Sequence, residues 1–266
     1  MDASGRDTSS YRPITLLSVP SKVVISIILK RIKPLLLQKR RPQQAGFTPG
    51  RSTTDCILAL TVLAQQRREF QRPLFAAYVD LKAAFDSLDR NALWLLLQCN
   101  GVPNKYLNIL RNLYTDNTCR VRGENSVSDP FPSTSGVRQG CVAAPNLFNV
   151  AVDYWLSGTL ERCHDPGVTY HHRLTDLCYA DDIVLLSSLL DTFGETLTIL
   201  EEEASPLGLS INWMKTKIQS LSDFLPPPPR ELRINSNCVE TKDKFVYLGV
   251  TISSDCSWTT EIFRRL

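Results

Sequence analysis

Residues 176–188, DLCYADDIVLLSS, place two adjacent carboxylates, Asp181 and Asp182, between two short apolar runs. Leu177-Cys178-Tyr179-Ala180 and Ile183-Val184-Leu185-Leu186 are apolar and partly β-branched, which suits two buried strands. The object expected here is a tight β-hairpin with the acids at its tip. Taken alone, such a pair reads as a solvated Asx turn, because Asp tolerates turn geometry well. A chemical role for the acids needs support from elsewhere in the chain.

That support is a second acidic stretch, FAAYVDLKAAFDSLDR at residues 75–90, where an apolar strand ends at Asp80 and Phe85 follows five positions later. Two acidic strand ends brought together from distant sequence make an oxygen-ligand cluster suited to Mg²⁺, and their mutual repulsion calls for a cation. Two such ions about 3.5–4 Å apart clamp the attacking and leaving oxygens of a phosphoryl transfer. Asp80, Asp181 and, more peripherally, Asp182 are the candidates.

The rest of the chain permits this and removes competitors. Its 266 residues, 43% hydrophobic and 21% charged, are enough for a sizeable core in one large domain or two small ones. The eight cysteines are scattered without a C-x-x-C pair and there are three histidines, so neither a zinc site nor a disulfide framework is expected and a reducing compartment is the default. The apolar stretch 14–29 is interrupted by Pro20 and Lys22 and lacks the flanks of a signal peptide, so no membrane span is expected. A net charge of +3 hides an asymmetry, because residues 1–77 hold 13 Lys/Arg against 4 Asp/Glu. Lys30, Arg31, Lys33, Lys39, Arg40, Arg41, Arg51, Arg67, Arg68 and Arg72 form the pattern expected where a polyanion backbone lies against a protein.

Along the chain, helices are expected at 21–37, with Ser21 as N-cap and Val24, Ile27, Ile28, Ile32 and Leu35 on one face, and at 55–70, 91–100, 104–114, 143–163 and 192–205. Strands are expected at 75–80, in a hairpin around Gly123 within 118–134, in the Asp-Asp hairpin, and at the end of the chain, where prolines 226–229 mark a loop. Helices alternating with strands joined partly by hairpins argue for an α+β fold with an antiparallel sheet layer.

YADD and DLKAAFD, with SGVRQGCVAAPNLFN between them, resemble the reverse transcriptases of non-LTR (LINE-type) retrotransposons. The resemblance runs in order from YRPITLLSVPSK (11–22) through QAGFTPGRSTTD (44–55) to GLSINWMKTK (208–217) and FVYLGV (245–250), nearly the whole chain. It implies a right-hand polymerase with basic fingers at 1–77, a ferredoxin-like palm of antiparallel sheet and helices at 78–244 carrying inserted fingers helices at 90–134, and a primer grip at 245–266. The thumb is expected to be largely absent, along with the endonuclease of a parent polyprotein. The implied reaction adds deoxynucleoside triphosphates to a DNA primer on an RNA template, with two Mg²⁺ ions, or Mn²⁺, as cofactors.

The resemblance also assigns roles residue by residue. Asp80, Asp181 and Asp182 match the metal-binding carboxylates, and Phe85 matches the bulky position that collides with a ribose 2′-hydroxyl. Gln139 and Gly140 line the nucleotide pocket in the family. Arg51 matches a residue touching the triphosphate, where a guanidinium fork suits phosphate oxygens, although this chain has Thr48 where the family often has Arg. Lys215 matches the lysine that protonates departing pyrophosphate, with Lys217 as the alternative, and Phe245, Tyr247, Leu248 and Gly249 match the primer grip. An RNA-directed DNA polymerase is the first expectation. An inactive remnant that only binds nucleic acid is the second. Another two-metal enzyme, such as a nuclease, is the third, and it has no use for the nucleotide-pocket motifs.

Overall fold

The structure, a computed structural model, describes residues 14–122, 126–164, 167–169, 172–222 and 224–266. Residues 11–13 of the first shared motif, and Gly123, lie outside them. Helix α1 (Val19–Gln38) starts earlier than expected, because Ser18 is the N-cap and its Oγ accepts from the Ser21 amide at 3.4 Å. Pro20 stands in the first turn, where a missing N–H costs nothing. Its buried face is Ile25, Ile28, Leu29, Ile32 and Leu36, whereas Val24 and Ile27 are 47% and 56% exposed. The helix is apolar around most of its circumference, so periodicity selects a face only weakly.

A turn-rich segment leads to α2 (Thr53–Glu69), where the Asp55 carboxylate accepts from the Ser52 amide at 2.7 Å. Strand β1 (Phe75–Val79) follows, then the short α3 (Ala84–Ser87) and α4 (Arg90–Cys99), whose cap Asp89 accepts from the Ala92 amide at 2.7 Å. Helix α5 (Asn104–Tyr114) precedes the hairpin of β2 (Thr118–Cys119) and β3 (Phe131–Pro132). The long α6 (Ala144–Arg162) is followed by the pair β4 (Val168–Thr169) and β5 (Arg173–Leu174). Then come β6 (Asp176–Tyr179), β7 (Asp182–Ser187) and α7 (Thr192–Ala204). The chain continues as β8 (Lys217–Ser220), β9 (Glu231–Ile234), β10 (Asn237–Thr241), β11 (Lys244–Tyr247), β12 (Val250–Ser253) and α8 (Thr259–Arg265).

Six strands form the main sheet in the order β6-β7-β1-β8-β10-β9, antiparallel except where β8 meets β10. Every residue of β1 is buried, because both faces are covered. Phe75, Ala77 and Val79 join Ile183, Leu185 and Ile218 in a core with α1, α4, α5, α6 and α7. Ala76 and Tyr78 join Val184 and Leu186 in a second core with α2 and the β11–β12 hairpin. That two-sided burial is why β1 reads as a continuous apolar run rather than an alternating one.

Three of the basic residues expected to meet a polyanion point inward instead. Arg41 makes a bidentate pair with the fully buried Asp176 at 2.6 and 3.0 Å, and Arg40 approaches Asp153 at 3.5 Å. Arg67 donates to the Pro73 carbonyl and to Ser188 Oγ. A guanidinium on a long stem can leave the surface when fixed acceptors meet its fork, as they do for Arg41 and Arg67. No helix among the described residues is long and apolar enough to cross a membrane.

Candidate active site

The sheet register assembles the acids. Tyr179 pairs with Asp182, which leaves Ala180 and Asp181 as a two-residue turn, and Ala180 takes a left-handed φ of 58°. In the next pairing Val79 stands opposite Ile183, so one step further Asp80 faces Asp182. Residues directly opposite in an antiparallel pair project from the same face. That face is the one carrying Tyr78 and Val184. The Asp80 amide donates to Thr216 Oγ1 at 3.3 Å and its carbonyl accepts from the Asn212 amide at 2.8 Å, while its buried Oδ2 has no hydrogen-bond partner. A buried carboxylate oxygen left unpaired is costly, and it is a ready ligand for a hard cation.

Asp80 and Asp182 line a cleft of about 570 Å³ together with Met214, Lys215, Lys217, Lys242, Lys244 and the hairpin residues Phe245, Tyr247 and Leu248. Asp181, in the turn, is not among its lining residues. Phe245 stacks on Tyr78 with ring centroids 4.0 Å apart, and Tyr247 lies at 5.8 Å, its hydroxyl pKa raised by burial. Leu248 and Gly249 form the turn between β11 and β12 with φ of 46° and 82°, the geometry that matches strand twist in two-residue hairpins. Of the two candidate lysines, Lys217 is committed, since its Nζ donates to the Met214 carbonyl at 2.6 Å and pairs with Glu240 at 3.2 Å. Lys215 is exposed at the cleft.

A second group forms around α3. Phe85 stacks on Phe148 of α6 at 4.4 Å, and Gln139 Nε2 donates to Asp86 Oδ2 at 2.9 Å. The Thr15 amide donates to the Gln139 carbonyl at 2.8 Å, and Gly140, at φ 96°, passes so near that an added Cβ would lie 2.8 Å from the Thr15 oxygen. Glycine is therefore required there on two counts. Arg51 is exposed at the end of the 43–51 segment and does not line the cleft. Among the described residues, no three His, Cys, Asp or Glu side chains stand together as a preformed metal cluster.

Sequence reasoning missed Gln44, Asn149 and the Arg41–Asp176 pair. Gln44 is 1% and Asn149 0% exposed, and both bond to backbone near the Asp-Asp turn. One signal was present. Asn146, Asn149 and Asp153 are buried along α6 at helical spacing, a polar stripe that an apolar core helix does not carry without partners.

Residues 3–252 match the profile of the family described as reverse transcriptase (RNA-dependent DNA polymerase). Among curated proteins, the chain is 29% identical over 253 residues to the transposon TX1 149 kDa protein of Xenopus laevis, covering 92% of this chain and 19% of that protein. It is 25% identical over 256 residues to a Pol polyprotein of the R2 retrotransposable element of Popillia japonica, covering 93% of this chain and 36% of that one. A probable RNA-directed DNA polymerase from transposon BS of Drosophila melanogaster is 28% identical over 257 residues, with 91% of this chain and 27% of that protein covered. The chain thus spans roughly a fifth to a third of these relatives' lengths. Among solved structures, Candida albicans telomerase superposes with a TM-score of 0.57 at 12% identity, covering 90% of this chain and 37% of that one. Candida tropicalis apo telomerase truncated of its C-terminal domain gives 0.55 at 16%, covering 88% and 43%. These likenesses establish the fold, an α+β polymerase fingers and palm, and with the sequence matches they establish that the chain belongs to the reverse transcriptase family, beside the enzymes of non-LTR retrotransposons.

Proposed function

We propose that this chain carries the polymerising centre of a retrotransposon, adding deoxynucleotides to a DNA primer 3′ end on an RNA template. One observation carries the reading: Asp80, directly after the Val79–Ile183 pair, and Asp182 line the same cleft, and an oxygen of Asp80 is buried and unpaired. The donors are hard carboxylate oxygens, which fit Mg²⁺ or Mn²⁺, and Asp80, Asp181 and Asp182 would hold the ions. When bound, the cations supply charge stabilisation to the phosphoryl group in flight. Around them, the β11–β12 hairpin holds the primer end through Phe245, Tyr247, Leu248 and Gly249. Lys215 gives its proton to the leaving pyrophosphate, a role suited to an ammonium at the cleft that is not tied to Glu240. Arg51, Gln139 and Gly140 contact the incoming nucleotide, and Phe85 excludes the ribose hydroxyl. In this reading residues 1–77 act as fingers, 78–244 as palm and 245–266 as primer grip.

Primer extension on an RNA template tests it. Asp181→Asn is expected to cut extension by about 10³-fold or more, since several kcal/mol of charge stabilisation are lost at roughly 1.4 kcal/mol per decade. Thermal unfolding should change little, because the substitution removes a charge in a turn rather than core volume. Extension by Asp181→Asn at the parent rate would sink the proposal.

A further inference from the structure

Strand β6 lies at an edge of the main sheet, yet that edge is not bare. The Cys178 amide donates to the Gln43 carbonyl at 3.3 Å and the Ala45 amide donates to the Cys178 carbonyl at 2.8 Å, a parallel bridge outside the named strands. The Gln44 side chain extends the contact beyond the strand and into the turn. Its Oε1 accepts from the Ala180 amide at 2.9 Å and from the Gly46 amide at 2.9 Å, while Nε2 donates to Cys178 Sγ at 3.0 Å. Every polar atom of this buried amide group is used.

The surroundings are built to keep it there. A Cβ on Gly46 would lie 2.3 Å from the Ala180 nitrogen, so only glycine lets the two backbones approach this closely. Asn149 Nδ2 donates to the Gly46 carbonyl at 2.6 Å, pinning the segment to α6. Further along, Thr48 Oγ1 donates to the Gln44 carbonyl at 3.0 Å and the Arg51 amide to the Thr48 carbonyl at 3.2 Å. The turn itself is a strained one, with a non-glycine residue in the left-handed region immediately before Asp181. Such a conformation persists where neighbours over-determine it, and Gln44 holds its amide from outside the hairpin.

We infer that Gln44 is a positioning residue, which fixes the Ala180 amide and thereby the direction in which Asp181 leaves the turn. The inference rests on the reading of Asp181 as a cation-holding carboxylate for its catalytic consequence, but not for the hydrogen bond itself. It ties the segment leading to Arg51 and the acidic turn into one unit, so that a shift of either is felt by the other.

Two variants of the full chain test it. Gln44→Met keeps the length and removes the acceptor. Gln44→Glu keeps, in either protonation state, an oxygen that can accept from the Ala180 and Gly46 amides. Amide exchange followed by NMR should find Ala180 protected in the parent and in Gln44→Glu, and at least about tenfold faster in Gln44→Met, with the β1–β7 ladder amides unchanged. In primer extension Gln44→Met should lose about tenfold or more in kcat while KM for the nucleotide stays within about twofold, and Gln44→Glu should recover most of the loss. A folded Gln44→Met with unchanged Ala180 exchange or parental kcat overturns the inference, and so does a Gln44→Glu that behaves like Gln44→Met. Where Gln44→Met does not fold, the parent decides, because a rapidly exchanging Ala180 amide overturns the inference on its own. A parent that extends no primer defeats the proposed function, while amide exchange still decides whether Gln44 holds the turn.

Discussion

Phe85 is half-buried and belongs to two environments at once. One face of its ring lies on Phe148 at 4.4 Å with the planes 18° apart, an offset pair worth about 0.5–1.5 kcal/mol beyond its buried area. The following residue, Asp86, receives the Gln139 amide that is proposed to line the nucleotide pocket. Phe85→Ala should therefore cost about 2–3 kcal/mol of stability and also narrow the preference for deoxynucleotides over ribonucleotides. The ratio of kcat/KM for the two substrates, with template and metal held fixed, reads the second effect. An unchanged ratio in a folded, active variant would leave Phe85 as core alone. It was picked out by the resemblance, in the DLKAAFD motif five residues past the acid that follows β1. Gln44 was not, since a single amide in a turn-rich stretch has no periodicity to reveal its burial. Nor could charge counting find that Arg41 is spent on Asp176, a partner 135 residues away.

Between elements, the contact that sequence could not foresee is the one joining the end of α1 to α6. Burial pushes the Asp153 carboxyl up to about 7, against the opposing pull of Arg40 and Arg41. Its Oδ1, with Arg40 Nε and Nη2, is buried without a hydrogen-bond partner. A carboxyl whose folded pKa lies above its unfolded value stabilises the fold when protonated, and that contribution fades as pH rises toward the folded pKa. Between pH 5 and 7 the parent should lose on the order of 2 kcal/mol through this group. Asp153→Asn should lack that decline, so urea unfolding of the two proteins at pH 5 and pH 7 gives converging or diverging midpoints directly. Parallel pH profiles would refute the assignment. Elements with turn or cap chemistry, such as α5 behind Pro103 and the β6–β7 hairpin, could be drawn from sequence to within a residue or two. The buried face of α1 could not, because apolar side chains surround it and packing against α6 makes the choice.

For the molecule as a whole, the fold class was readable from strands alternating with helices, but the strand order was not. Local patterns mark β1 as an apolar strand, and they say nothing about which strands lie beside it. The answer is β7 on one side and β8 on the other, both far downstream. This has a consequence for synthesis. At about 5–20 residues per second, a ribosome needs roughly 5–20 s to go from the end of β1 to the end of β7, and longer to reach β8. Throughout that interval five apolar residues stand with both hydrogen-bonding edges open, a template for any passing strand. Limited proteolysis of stalled nascent chains should show β1 unprotected at every length short of β7 and fully protected only once β8 has emerged. Protection at shorter lengths would mean that a substitute partner forms first. The position of β1 between two strands made long after it is thus what leaves it waiting longest for its neighbours on the ribosome, and makes it the strand for which a holding chaperone would matter most.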